Sequence, residues 1–237
     1  MQDPSELSAR LLNITAAAVV SSAEELGAAP TCTIATHSGS FHCDEALATA
    51  MLRLLPQFAA APIIRTRDAD AIAACTIAVD VGGVYDAATL RFDHHQRTFE
   101  TLFDGRDVTK LSSAGLVYVH YGREVVAAIA AAAPGSALPA ATLEMVYQKV
   151  YVDFVEGVDA IDNGVSRAEG PDAYKVRTDL GARVGCVVAS LSARIRRRIE
   201  RRLRCGTGAH SAPPPPRLSP SIPRPCSVSP CAAAAAA

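Results

Sequence analysis

His37, His42 and Asp44 fall in one His-x4-His-x-Asp stretch, and Asp93-His94-His95 forms a second polar cluster further along the chain. Between them, Asp80 closes a short apolar run just ahead of Gly82-Gly83. Four of the six histidines lie in these two stretches. Neutral imidazole combined with carboxylate suits manganese, zinc or iron better than calcium, which prefers oxygen alone. Taken singly, each residue has an ordinary explanation: an Asp ending a strand is commonly a turn former, and a lone His is commonly a satisfied or exposed imidazole. It is their order, each at the end of an expected strand, that points to one divalent-metal site. Asp159, near the end of a later helical stretch, completes the set. Phosphate hydrolysis is a natural use of such a site, because two metals about 4 Å apart can activate a water and stabilise both the attacking and the leaving oxygen.

The elements that must position these residues are readable from periodicity. Residues 32–36, 62–65, 76–81 and 90–93 are short apolar or β-branched runs and are expected as strands. Residues 44–55 carry Ala46, Leu47, Ala50, Met51, Leu54 and Leu55 at helical spacing, with Pro56 as a stop. Ser112-Ser113-Ala114-Gly115 is expected to cap a helix running to about residue 133. Another is expected over 142–161, with Leu143, Val146, Val150, Phe154 and Val158 on its apolar face and Asn163-Gly164 ending it. Strands alternating with helices imply an α/β domain, a mainly parallel sheet flanked by helices. Ligands in such folds bind beyond the carboxyl ends of the strands.

The chain of 237 residues has room for one substantial core, and its net charge of −1 hides an asymmetry. Through Val187 there are 14 basic and 23 acidic residues, whereas the remainder holds nine Arg against one Glu. An acidic domain cannot attract a polyanion by bulk charge, so metal and a few placed cations must create the local positive field. Arg91, Arg97 and Lys110 are candidates for holding phosphate oxygens, with solvated surface charge as their plain alternative. After Val187 come seven arginines over 194–204, the prolines 213–216 and six terminal alanines. A disordered tail over 188–237 is expected, with a basic amphipathic helix around Ile195, Ile199 and Leu203 as the sharper alternative. No apolar run reaches the roughly 18 residues of a membrane span. Seven scattered cysteines without a Cys-x-x-Cys pair fit reduced thiols, and the acidic first thirty residues fit no secretory or transit signal. An intracellular address is therefore expected, with residues 1–30 left as an extension without an assigned role.

The segments Thr36-His37-Ser38-Gly39-Ser40-Phe41-His42-Cys43-Asp44-Glu45-Ala46, Arg65-Thr66-Arg67-Asp68, Val79-Asp80-Val81-Gly82-Gly83, Phe92-Asp93-His94-His95-Gln96, Thr109-Lys110-Leu111-Ser112-Ser113-Ala114-Gly115 and Val158-Asp159-Ala160-Ile161-Asp162-Asn163-Gly164 resemble the melanocyte proliferating gene family. This family is a branch of the DHH phosphoesterases, also labelled metal-dependent protein hydrolases. The resemblance runs from residue 31 to about 184, within an expected domain over 31–187. It implies a DHH-type fold and a 3′-to-5′ exonuclease acting on single-stranded RNA, in the nucleus and mitochondrion, with the cytoplasm left open. It also implies that His37, His42, Asp44, Asp80, His94 and Asp159 hold the metals, with Asp93 either a further ligand or a partner orienting a histidine. His95 is then placed to contact phosphate or protonate the leaving group. Asp162 lies three residues after Asp159 on nearly the same helical face, so either could be the ligand, and the resemblance favours Asp159. Because His42 stands where DHH enzymes more widely carry an aspartate, Mn2+ is the expected ion and Mg2+ the second choice, as two ions.

Family members continue into a second region that closes over the site, whereas this chain passes into its arginine, proline and alanine stretch. The domain is therefore expected to be incomplete and the activity to suffer. Two other functions fit the same residues: a small-molecule phosphatase or pyrophosphatase, and a non-catalytic metal- or nucleic-acid-binding module. No protein partner follows from the sequence.

Overall fold

Ile34-Ala35-Thr36 and Ile77-Ala78-Val79 alternate their side chains between two apolar surroundings. Ile34, Ile77 and Val79 face one cluster, Ala35 and Ala78 the other. Strands buried on both faces need helices on both, and the computed structural model supplies them. It describes residues 18–22, 24–26, 30–131, 138–166, 170 and 179–185, all within the unit Met1–Arg194. The expectations of a basic helix over 194–204 and of a disordered tail lie outside the described residues.

The strands are β1 (Val19–Val20), β2 (Ile34–Thr36), β3 (Ile63–Arg65), β4 (Ile77–Val79), β5 (Tyr85–Asp86) and β6 (Arg91–Phe92). They form a six-stranded sheet in the order β1-β3-β2-β4-β6-β5, parallel except for the β5–β6 pair. Residues 19 and 20, in the stretch before residue 31, thus add an edge strand that their sequence did not suggest. The helices are α1 (Cys43–Arg53), α2 (Ala69–Ala74), α3 (Ser113–Ala131), α4 (Ala140–Val150) and α5 (Glu156–Asp162), with a wide π turn at Tyr151–Val155 between the last two. Among the described residues no helix is long and apolar enough to cross a membrane.

The chain leaves β2 toward β3 on one side and then returns to place β4 on the other side of β2. This reversal opens a crevice at the carboxyl ends of β2 and β4, where α/β folds bind ligands. Register decides what stands there. Ile34 is level with Ile77 and Val79 with Phe92, so the next residues along, His37, Asp80 and Asp93, emerge on one level. The main core lies between the sheet and α1, α3, α4 and α5, whereas α2 covers the smaller cluster around Ile64 and Ile72.

The helical stretch expected over 142–161 differs from the structure in an informative way. Tyr147, Tyr151, Val155 and Val158 are its buried apolar residues, while Phe154 is 46% exposed. At the π turn the Glu156 N–H reaches back five residues to Tyr151 O, which adds a residue to the turn and rotates the face that meets the core. Phe103 stacks on Tyr151 with ring centroids 3.6 Å apart, and the Tyr118 hydroxyl donates to Tyr147 O at 2.8 Å, fixing α3 against this segment.

Candidate metal centre

The His37–His42 loop owes its shape to Glu45. This residue is buried in the first turn of α1, where an acid is favoured by the helix N-terminus. Its carboxylate accepts from the Thr36 hydroxyl at 2.9 Å, from the His42 N–H at 3.3 Å and from Arg65 at 2.9 Å, and it touches His37 Nε2. His37 Nδ1 lies 3.1 Å from Ser38 O, an arrangement in which Nδ1–H donates and Nε2 is left to face the crevice. On the next strand, Asp80 sits at φ +57°, a left-handed conformation that Asp tolerates better than most residues. The Ser113 hydroxyl donates to Asp80 Oδ1 at 3.2 Å.

Asp80 is the hub. Its carboxylate lies 3.4 Å from His37 Nε2, 3.6 Å from His94 Nε2 and 3.5 Å from His95 Nδ1. Asp162 Oδ2 stands 3.0 Å from His94 Nε2 on the far side. Among the described residues three groups capable of holding a metal ion result: His37, His42 and Asp80; Asp80, His94 and His95; and Asp44, His94 and Asp162. Within each group the ligand atoms all lie within 4.8 Å of one another. Two ligand atoms each about 2.1 Å from an ion, at tetrahedral or octahedral angles, stand about 3.0–3.4 Å apart, close to the spacings here.

A divalent ion fits these residues for a second reason. Asp44 is fully buried and neither of its carboxylate oxygens has a hydrogen-bond partner, while the Nε2 atoms of His37 and His94 are buried against carboxylates. Buried carboxylate without a donor is costly unless a cation compensates it. Burial, and next the Asp162 carboxylate, push Asp44 up to about 7. Burial, and next Asp44 and Asp162, push Asp80 up to about 8. Burial by itself would lower His94, but the carboxylates of Asp162, Asp80 and Asp44 outweigh it and raise the imidazole.

Asp93 does not join these groups. Its Oδ2 accepts from Gly83 N–H at 2.6 Å, while Oδ1 accepts from His95 N–H at 3.1 Å and meets His95 Nδ1 at 2.7 Å. Burial would raise its carboxyl, yet the donors of His95 and Gly83 together hold it below the usual range. Of the two roles open to Asp93, the geometry is that of a partner orienting a histidine, His95, whose side chain is 61% exposed.

Asp159 is likewise not brought to the cluster. Its Oδ1 accepts from Ser112 N–H at 3.0 Å, Ser112 Oγ at 2.6 Å and Gly115 N–H at 3.1 Å, and its Oδ2 accepts from the Tyr151 hydroxyl at 2.9 Å. A carboxylate so placed caps the N-terminus of α3 and spends its Oδ1 wholly on that cap. Asp162, three residues later, is the one that faces His94. Gly115 makes this cap possible, since a Cβ there would stand 2.4 Å from Asp159 Oδ2. Gly115→Ala is expected to cost about 1–3 kcal/mol in urea unfolding as the carboxylate is displaced.

Of the three cations proposed for phosphate, none contacts the metal-ligand groups. Arg91 donates to the carbonyls of Ala73 (3.3 Å), Cys75 (3.0 Å) and Thr76 (3.4 Å), at the opposite, amino-terminal end of β4. Its place at the start of β6 points it to the sheet's other edge, which spacing to Asp93 could not reveal. Arg91→Ala is expected to cost about 1.5 kcal/mol of stability and to leave metal affinity unchanged, as checked by unfolding and by metal titration. Lys110 pairs with Glu100 on the surface at 2.7 Å, and Arg97 is exposed. Glu45 and Arg65, by contrast, were overlooked as site residues, although Asp-Glu at a helix start is a recognisable N-terminal signal.

Residues 33–202 match the family model MYG1_exonuc, described as an uncharacterised protein family (UPF0160). The chain is 52% identical over 157 residues to a MYG1 exonuclease of Mus musculus, covering 64% of this chain and 40% of that protein. It is 50% identical over 157 residues to a MYG1 exonuclease of Homo sapiens, covering 64% of this chain and 41% of that protein. It is 53% identical over 133 residues to a MYG1 protein of Schizosaccharomyces pombe, covering 56% of this chain and 40% of that protein. The chain thus spans about 40% of the length of these curated relatives. No solved structure matches it.

Proposed function

Because the chain belongs to the MYG1_exonuc family, we propose that its domain is the metal-binding half of a phosphodiester hydrolase, a 3′-to-5′ exonuclease on single-stranded RNA. The observation that carries this reading is Asp44, a buried carboxylate without a hydrogen-bond partner beside Asp80, His94 and Asp162. A module that binds no metal has no use for such a group. The relatives named exonucleases supply the substrate class, and nuclear and mitochondrial residence belongs to the same proposal.

The residues that would hold two divalent ions, manganese before magnesium, are His37, His42 and Asp80 on one side and Asp44, His94 and Asp162 on the other. Such ions would supply positive charge against the phosphate and a water nucleophile at neutral pH. His95 is held through Nδ1 by Asp93, which leaves Nε2 of an exposed ring free to hold a phosphate oxygen or give a proton to the leaving oxygen. Glu45 and Arg65 keep the His37–His42 loop in place while substrate enters.

The test is hydrolysis of a short single-stranded RNA with and without Mn2+, alongside an Asp80→Ala, His94→Ala double variant and a direct metal titration. Activity that requires the ion and disappears in the variant supports the reading. A protein that binds no divalent ion sinks it.

A further inference from the structure

Phe41 occupies an unusual place for an apolar ring. It lies in the polar loop Ser38-Gly39-Ser40, directly before His42, whose ring centroid is 4.7 Å from that of His37. It is 41% exposed. A single exposed Phe is ordinary on a protein surface, but this one is not free to move. The Arg65 guanidinium lies 3.6 Å from its ring centroid and is itself fixed by Glu45 Oε1 at 2.9 Å, Gly39 O at 3.2 Å and Ser40 O at 3.4 Å. One face of the ring is therefore clamped from beneath by a cation that is only 10% exposed. The ring also borders a hollow of about 370 Å³ that it shares with Val19, Thr36, Ala46 and Ala50.

A rigid, half-exposed aromatic ring beside a phosphate-directed metal centre has the properties of a stacking platform. Every nucleobase offers a π face, so a flat ring binds bases with little regard to sequence, and a ring already held in place loses little freedom on binding. The ring also answers a problem set by charge: a net acidic domain gains little from the phosphate backbone away from the metals, so the base must contribute. We propose that Phe41, backed by Arg65, is a binding subsite for one nucleobase of a single-stranded strand whose phosphodiester lies at the metal centre. This rests on the phosphodiesterase reading and adds to it the group that distinguishes a nucleic acid from a small phosphate.

The chain contains no tryptophan, so Phe41→Trp installs a single fluorophore at the position in question. The probes are an oligoadenylate and an abasic strand of equal length, both in Mn2+, with binding read on mixing, ahead of any cleavage. The oligoadenylate is expected to quench the Phe41→Trp fluorescence and the abasic strand to leave it unchanged. In direct binding, Phe41→Ala should lower the preference for the base-bearing strand over the abasic one about tenfold, on the scale of one stacked base, and Phe41→Tyr should restore it. If the unmodified protein binds the oligoadenylate but Phe41→Ala keeps the full preference and Phe41→Trp is not quenched, the subsite is overturned while the phosphodiesterase reading stands. If the unmodified protein binds Mn2+ but neither strand, and hydrolyses no RNA, the phosphodiesterase reading falls and the subsite with it.

Discussion

The Asp80→Ala, His94→Ala double variant is expected to lose at least about a thousandfold in Mn2+-dependent hydrolysis, well beyond the roughly 10- to 100-fold that loss of an outer partner costs. Each of the two residues belongs to two of the three groups, so their removal leaves no group complete. Single variants at the two helical aspartates should separate ligand from scaffold. Asp162→Ala is expected to lose the ion held with Asp44 and His94, lowering the metal stoichiometry, yet leave urea unfolding of the metal-free protein little changed, because Asp162 faces His94 and the crevice. Asp159→Ala should instead destabilise by about 3–5 kcal/mol, because Ser112, Gly115 and Tyr151 would be left with buried unpaired donors. That is a large part of the stability of an ordinary domain, about 5–15 kcal/mol. The opposite result, a stable Asp159→Ala that binds no metal beside an Asp162→Ala that binds normally, would return the ligand role to Asp159.

Metal should also stabilise the protein more as pH rises. Asp44 and Asp80 have folded-state values near 7 and 8, above the unfolded value of 3.8. Their contribution to stability is fully present below 3.8 and is lost as pH rises through about 7 and about 8, when buried charge accumulates without compensation. A divalent ion binds the charged forms, so it restores what the metal-free protein loses. At a hundredfold excess over Kd the gain is about 2.7 kcal/mol, which corresponds to a rise in melting temperature of about 5–10 °C for a domain of this size. Thermal melts with and without Mn2+ should show that rise at pH 8 and less than half of it at pH 6. A shift that is flat or falls with pH would mean that the ion binds elsewhere than among these carboxylates.

An apolar groove lies open beside α1 and α4. Val146, Val150 and Phe154 share a groove with Leu47 and Met51 of α1 and with Leu54 just beyond it, so the periodicity that marks these residues as a buried face describes a face only partly covered here. Helical spacing identifies that a stripe is apolar but not which neighbour covers it. The π turn then moves the strictly buried stripe to Tyr147, Tyr151 and Val155, and no local pattern in the sequence announces such a turn.

Much of the architecture was nevertheless legible. The apolar runs around Ile34, Ile64, Ile77 and Phe92 became neighbouring parallel strands, because short β-branched runs between turn signals have few other stable uses. The two-residue strands β1 and β5 and the six-residue α2 are too short to show a period in the sequence. What the sequence by itself determined is the gathering of His37, His42, Asp44, Asp80 and His94, since a residue that ends a parallel strand or opens the following helix has one place to go, the carboxyl edge of the sheet. Tertiary structure alone decided among residues equivalent in sequence. Asp159 and Asp162 share one helical face, but α3 presents its N-terminal N–H groups to the first, and the second is left to His94. Asp93 and Arg91 stand two residues apart, yet Asp93 turns to His95 at the crevice while Arg91 secures carbonyls at the far end of β4. Spacing along a chain fixes which edge or face a side chain can reach, and the partner it finds there is set by whichever donor or acceptor the packing brings within hydrogen-bond distance.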